Sequence, residues 1–164
     1  MTAGLNSMKF VALIRGVGPG NPNMHQSKLK EFFESVGFKN VKPIISSGNV
    51  IFESNLRDEQ IIEQKIEDEL PKKLGFFRMT IVRSEIDLKK FVSTDPFKNI
   101  QDEKPNYLLV TFFKDRRPEI PTVLDMNSEK STDFMAKIDK IHNKEVTTRT
   151  WKTVHRILTV MGEM

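Results

Sequence analysis

Three short stretches of this chain carry side chains that could bind an anion. Arg15 follows an apolar run, the tetrad Ser46-Ser47-Gly48-Asn49 separates two β-branched runs, and Arg149 lies in the motif Thr147 to Val154. An arginine presents a planar fork of N–H donors that matches a carboxylate or a phosphate. Serine and asparagine add neutral donors, and glycine permits close approach of the backbone. The predicted ligand-binding residues are therefore Arg15, Ser47, Gly48, Asn49 and Arg149.

The sequence shows no second set of residues with recognisable chemistry. The chain has no cysteine, which excludes disulfides, thiolate metal sites and a cysteine nucleophile. Its histidines, His25, His142 and His155, are scattered and have no carboxylate at metal-ligand spacing. The glycines at 16–20 do not lead directly into a helix, as a dinucleotide fingerprint or a P-loop requires. We predict no metal and no cofactor, we name no catalytic residue, and whether the chain is an enzyme stays open.

The composition predicts a folded protein of the cytoplasm. A hydrophobic fraction of 38% beside 29% charged residues is too apolar for a disordered chain. The longest apolar run, Phe10 to Ile14, is far shorter than the ~20 residues of a membrane-spanning helix. The chain does not open with a signal peptide. We therefore expect no membrane partner, and the sequence does not indicate an oligomeric state.

The positive charge of the chain is concentrated near its C-terminus. The net charge is +4, and residues 137–156 contain six bases and only two acids. Such a segment can attract phosphate or nucleic acid, or it can be a solvated face without a partner. A cluster of this size would bind nucleic acid weakly and would lose it as salt is raised.

Hydrophobic periodicity predicts an α+β fold that begins with a ferredoxin-like unit. Apolar residues at helical spacing indicate two helices, and β-branched or apolar runs indicate four strands. The predicted strands are 9–15, 41–45, 50–53 and 77–82, and the predicted helices are 26–36 and 58–70. This β-α-β-β-α-β order is that of the split βαβ fold, in which the third strand lies between the first two. We expect Arg15 and the tetrad at one edge of this antiparallel sheet, with both helices on one face.

The second half is predicted to be a smaller α/β subdomain that shares the core. We expect a helix from Ser84 to Val92, with Asp87 as a capping-box-like partner, and a strand at 107–113. A connection at 115–122, a helical turn within 119–126 and a strand at 132–138 follow. Thr148 is expected to cap a last helix that buries Trp151, Val154 and Leu158 and exposes Lys152 and Arg156. The predicted organisation is a disordered leader at 1–7, a ferredoxin-like subdomain at 8–83 and the second subdomain at 84–164.

The three stretches together resemble a known family. Their order and spacing are similar to those of the uncharacterised proteins grouped as domain-of-unknown-function family 1697 (DUF1697). Members of that family join an "ALLRGINVGG"-like start to an "SGN" turn and a "TTRNWNTV" helix. This chain has Thr150 and Lys152 where the family motif has asparagine. The resemblance runs from Met8 over nearly the whole chain and implies a ferredoxin-like subdomain, but it implies no activity because the family has none established.

Three functions are compatible with these residues. The first is the binding of a small anionic or phosphate-bearing ligand at the predicted site. The second is weak nucleic-acid binding, in which Phe10 and Phe52 on the first and third strands would stack bases as in RNA-recognition modules. We rank it lower because residues after Ser84 are expected to cover the sheet. The third is an enzyme acting on a phosphorylated or carboxylated small molecule in the same pocket.

Overall fold

Two antiparallel sheets and five helices make up the part of the chain that the structure describes. This computed structural model describes residues 7–16, 24–45, 48–128 and 133–164. The predicted leader up to residue 6, the loop at 17–23, and Ser46 and Ser47 lie outside the described residues. The elements in chain order are β1 Met8–Ile14, α1 Gln26–Ser35, β2 Lys39–Ile44, β3 Asn49–Ser54, α2 Glu59–Leu74, β4 Thr80–Ser84, α3 Glu85–Ser93, β5 Asn106–Phe113, β6 Ile120–Asp125, α4 Phe134–Ile141, β7 Val146–Thr150 and α5 Trp151–Gly162.

The first sheet has the strand order β2-β3-β1-β4. β1 pairs antiparallel with β3 on one side, so that Phe10 faces Phe52, and antiparallel with β4 on the other. β1 and β2 therefore run parallel with β3 between them, as the sequence predicted. α1 and α2 cover one face, where the buried rings of Phe10, Phe33 and Phe52 pack together.

The opposite face of the first sheet is buried by the second half of the chain. Val11 and Ile51 on this face join a core that includes Val110 of β5 and Val154 of α5. β5 is the central strand of a three-stranded sheet with the order β6-β5-β7. The predicted cover of the sheet by residues after Ser84 is thus observed.

The outer edge of β4 is closed by three glutamates of α2. Glu59, Glu63 and Glu67 are four residues apart, so they lie on one side of the helix. The backbone amides of Ser84, Val82 and Thr80 donate to these carboxylates, in the same order, at 2.6, 2.8 and 2.9 Å. The edge strand is thereby protected by side chains instead of by another strand.

Three cations complete this edge, which we call the β4 edge network. Lys114, directly after β5, donates to the carbonyl of Thr80 at 2.7 Å and to Glu67 at 2.8 Å. Arg116 lies 2.8 Å from a carboxylate oxygen of Glu63. Arg83, whose side chain is only 4% exposed, donates to Glu119 at 2.9 Å and to the carbonyl of Phe113 at 2.9 Å. Charges from α2, β4 and the end of β5 therefore neutralise one another in one network.

The end of α2 and the capping of α3 differ from the prediction. α2 does not end at Leu70, because Pro71 is accommodated in the helix and the end comes at Gly75, whose φ of 83° is left-handed. Ser84 caps α3 as expected by accepting from the amide of Asp87. The predicted capping box is wrong, however, because the amide of Ser84 binds Glu59 and not Asp87.

Three predictions in the second half are wrong. The helical turn expected within 119–126 is strand β6, whose Pro121 is tolerated because β6 is an edge strand. The strand expected at 132–138 is also wrong, because residues 134–138 belong to helix α4. Residue 132 lies outside the described residues. Thr148 and Arg149 belong to β7, where β-branched threonines pair with β5, and it is Thr150 that caps α5 by accepting from the amide of Thr153.

The last helix exposes Lys152 and Arg156 as predicted, but its buried face is shifted. Val154 is buried as expected, while Trp151 and Leu158 are only partly buried and Ile157 takes a buried position. Trp151 is the first residue of α5. Its ring contacts that of Phe97 edge to face, with 5.0 Å between the ring centroids. Among the described residues, no helix has the length and apolarity needed to cross a membrane.

The β4 edge network predicts that Glu63 matters far more for stability than its neighbours on α2. Glu63→Ala would leave the amide of Val82 and the cations Arg83 and Arg116 without their buried partner. We expect the free energy of unfolding in urea to fall by about 3 to 5 kcal/mol. The matched control is Glu69→Ala, which removes a partly exposed pair with Lys72 and should cost about 0.5 kcal/mol or less. Equal losses for the two variants would contradict the proposed importance of the network.

Candidate anion-binding site

Arg149 lies on β7 and points its guanidinium at the first sheet. Its Nε donates to Oδ1 of Asn49 at 2.8 Å, and Nη2 donates to the carbonyl of Ile14 at 3.1 Å. Nη1 donates to the hydroxyl of Thr147 and to the carbonyl of Thr148. The structure therefore joins two of the predicted site residues, Asn49 and Arg149, which are 100 positions apart in the chain.

The acceptors around Arg149 are all neutral. No carboxylate in the described part of the chain pairs with it, and burial lowers the pKa of its guanidinium to about 10. A base with that pKa stays protonated at neutral pH. The junction of β1, β3 and β7 thus holds a positive charge, and its acceptors in the described part of the chain are amide, hydroxyl and carbonyl oxygens.

Gly48 and Asn49 connect this charge to the end of β1. The carbonyl of Gly48 accepts from the amide of Ile14 at 2.9 Å, and Gly48 has a φ of 78°, which glycine adopts without strain. Ile14 is thus held through its amide by Gly48 and through its carbonyl by Arg149. The predicted role of Ser47 stays a prediction, since this residue lies outside the described ranges.

Arg15, the next residue along the chain, is engaged by a carboxylate of α4. Its two terminal nitrogens donate to the two oxygens of Asp139 at 2.8 and 2.7 Å, and Nη1 also donates to the carbonyl of Val146 at 2.9 Å. This hydrogen bonding to Asp139 raises the pKa of Arg15. The fork that was predicted to hold a ligand is therefore filled by an anion from the chain itself.

A cavity of about 630 Å³ opens beside Arg15, which we call the Arg15 cavity. Its volume is within the range of about 300 to 1,000 Å³ that is typical of small-molecule sites. Four cationic side chains line it, accompanied by the acids Glu67 and Glu145 and the apolar side chains of Phe77 and Met79. The cations are Arg15, Arg78, Lys114 and Lys144.

The four cations of the Arg15 cavity differ in how well they are neutralised. Arg15 has Asp139, and Lys114 lies between Glu67 at 2.8 Å and Glu63 at 3.3 Å. Arg78 and Lys144 pair with no carboxylate among the described residues. Lys144 is also held in a left-handed conformation, with a φ of 61°. Two cations are therefore available to an incoming anion.

Sequence reasoning missed Arg78 and Lys114, and it included Lys144 only as one base of the segment 137–156, although all three lie beside strand ends. β4 is antiparallel to β1, so Arg78, just before β4, comes next to the C-terminal end of β1. Lys114 follows β5 and Lys144 precedes β7, and these two strands are antiparallel as well. The signal was available for Arg78 from the ferredoxin-like strand order. For Lys144 the strand order gave no signal, because β7 was not predicted and Thr148 was expected to cap the last helix.

Two further observations concern the alternative functions. Phe10 and Phe52 are fully buried under α1 and α2, so the rings predicted to stack bases do not face solvent. Within the described residues, no group of three or more histidine, aspartate or glutamate side chains could hold a metal ion.

Comparisons with known proteins agree with this fold. A family described as "Protein of unknown function (DUF1697)" matches residues 8–144. The chain belongs to this family. The matched DUF1697 segment includes Arg15, Asn49, Arg78 and Lys114 and ends before β7.

One solved structure has the same overall fold as this DUF1697 chain. It is the conserved bacterial protein SP0830 from Streptococcus pneumoniae, with a TM-score of 0.71 and 18% sequence identity over 95% of this chain and 99% of that chain. At that identity the likeness shows the fold alone. No curated protein matches the sequence.

The contacts of Arg149 predict a large structural effect for its loss. Arg149→Met would leave Oδ1 of Asn49 and the carbonyl of Ile14 without their donor at the junction of the two sheets. We expect a loss of about 2 to 4 kcal/mol in the free energy of unfolding, since hydrogen bonds to charged groups contribute about 1.5 to 3 kcal/mol. Arg156→Met, at an exposed position of α5, is the control and should change stability by about 0.5 kcal/mol or less. A loss below about 1 kcal/mol for Arg149→Met would show that this arginine does not hold the sheets together.

Proposed function

We propose that this protein binds a small anionic ligand in the Arg15 cavity. The observation that carries the proposal is the lining of that cavity, in which Arg78 and Lys144 have no carboxylate partner among the described residues. Arg78 is half-buried in a concave, partly apolar site, and such a cation gains more from an anion than a fully exposed cation does, because water screens it less. Binding is the proposed role, and no residue is assigned to a chemical step.

The predicted site residues take different roles in this proposal. Arg15 forms part of the cavity wall and becomes a ligand contact when Asp139 releases its fork. Gly48, Asn49 and Arg149 do not line the cavity, and we assign them to holding Ile14, the residue directly before Arg15. Ser47 stays a predicted donor at the same edge.

The proposed framework is a ferredoxin-like subdomain at 8–83 joined to a second subdomain at 84–164. The strand order β2-β3-β1-β4 with α1 and α2 on one face supports this description of the first half. The cavity takes Arg15 and Arg78 from the first part and Lys114 and Lys144 from the second. A ligand would therefore contact both parts of the fold.

Removing the two free cations tests the proposed function directly. We expect the wild-type protein to bind inorganic phosphate, sulfate or benzoate saturably at low salt, as measured by NMR titration. Arg78→Gln combined with Lys144→Gln should weaken the affinity at least about tenfold, which corresponds to about 1.4 kcal/mol. The control Lys30→Gln removes an exposed charge on α1 and should leave the affinity unchanged. If none of these anions binds, or if the double variant binds them as the wild type does, the proposal is wrong.

Asp139 is predicted to compete with the ligand for Arg15. Asp139→Asn removes the charge that occupies the Arg15 fork and should tighten anion binding several-fold. Asp133→Asn is the matched control, because Asp133 is exposed at the start of the same helix and makes no capping hydrogen bond. Thermal unfolding of both variants separates stability from affinity. If Asp139→Asn lowers the melting temperature and leaves anion affinity unchanged, Arg15 is a structural residue only.

A further inference from the structure

The Arg15 cavity has features that a simple anion would leave unused. Phe77 lines it and is 56% exposed, and Met79 adds a second apolar side chain. An inorganic ion would occupy a small part of about 630 Å³ and would not contact an aromatic ring favourably. The apolar wall indicates that the ligand has an apolar part of its own.

The unpaired cations that line the cavity indicate how many negative charges the ligand carries. Arg78 precedes β4 in the first sheet and Lys144 precedes β7 in the second, so the two unpaired cations reach the cavity from different sheets. Glu145 also lines the cavity, and both Glu145 and Lys144 are exposed, so water screens these two charges alike. A carboxylate supplies one negative charge, whereas a phosphate monoester carries about −1.5 to −2 at pH 7 and three acceptor oxygens. Two cations from two directions match the phosphate better.

Arg78 is oriented to use its remaining donors. Its Nη1 donates to the carbonyl of Phe77 at 2.9 Å, and its guanidinium lies over the ring of Phe76 at 4.9 Å. Nε and Nη2 make no hydrogen bond within the described part of the chain, and together they form an edge that can bind two phosphate oxygens. Gly16 lies beside this edge and has a φ of 75°, which favours glycine, and a Cβ there would be in ordinary contact with Nε of Arg78 at 3.5 Å.

We propose that the ligand of the Arg15 cavity is a phosphate monoester of an aromatic or heteroaromatic molecule. This inference rests on the proposed anion-binding function and narrows it to one class of ligand. The phosphate binds the Nε–Nη2 edge of Arg78 and the ammonium of Lys144, while the ring packs against Phe77 and Met79. Phe77 and Arg78 are adjacent in the chain and line the same cavity, so one small molecule can contact Phe77 with its ring and Arg78 with its phosphate.

Three probes test the ligand class on the wild-type protein: phenyl phosphate, methyl phosphate and benzoate. We expect phenyl phosphate to bind most tightly, about tenfold better than methyl phosphate, since an aromatic pair adds up to about 1.5 kcal/mol beyond its buried area. Benzoate has the ring with one charge and should bind more weakly than phenyl phosphate. Affinity for phenyl phosphate should also fall as the pH is lowered through about 6, where the second phosphate proton is taken up, while that for benzoate stays constant.

Two variants separate the roles of ring and charge. Phe77→Ala should remove the advantage of phenyl phosphate over methyl phosphate and leave methyl phosphate affinity unchanged. Arg78→Gln should weaken both phosphates alike. Ile61→Ala is the control for Phe77, because Ile61 is 55% exposed on α2 and does not line the cavity.

The outcomes distinguish this inference from the function on which it rests. If none of the three probes binds, this inference is wrong, and if inorganic phosphate and sulfate do not bind either, the anion-binding function is wrong as well. If benzoate binds as tightly as phenyl phosphate and without the pH dependence, anion binding stands and the phosphate assignment is overturned. If phenyl and methyl phosphate bind equally, or if Phe77→Ala does not change their ratio, phosphate binding stands and the aromatic part of the ligand is overturned.

Discussion

The closure of the β4 edge is the interaction on which the rest of the structure depends. An edge strand presents unpaired amides and carbonyls, which are normally covered by another strand or left to water. Here α2 supplies Glu59, Glu63 and Glu67 to the amides, and Lys114 and Arg116 supply donors to the carbonyls. Because the cations follow β5, the same contacts attach the second sheet to the first. The network therefore sets the distance between the two halves of the fold.

This network also forms one wall of the Arg15 cavity. Lys114 is held between Glu67 and the carbonyl of Thr80, so its position is determined by contacts with α2 and β4. Arg78 and Lys144 line the same cavity but have no carboxylate partner among the described residues. This contrast in charge pairing between the β4 edge network and the two cavity cations is what supports the proposed anion binding.

The three sequence motifs meet at the end of β1, where their side chains and backbone bind other parts of the protein. Arg149 and Gly48 bind the carbonyl and the amide of Ile14, which fixes the residue directly before Arg15. Arg15 in turn is bound by Asp139, 124 positions away. The motifs were predicted to be ligand contacts, and their described contacts are within the protein. Among the described cations of the Arg15 cavity, Arg78 and Lys144 have no carboxylate partner, and they belong to no recognised motif.

The sequence by itself determined the elements whose signals are local. The apolar spacing of Ile62, Ile66 and Leu70, for example, predicts α2, and the order of strands and helices in the first half predicts the antiparallel sheet in which β3 lies beside β1. Only the tertiary structure decided that residues 146–150 form a strand, because their threonines become strand residues by pairing with β5. It alone also decided which charges are paired, since Arg15 with Asp139 and Arg149 with Asn49 are contacts over 100 residues or more. Hydrophobic periodicity is a property of neighbouring residues, whereas the electrostatic state of a side chain depends on groups that only the folded chain brings within a few ångströms.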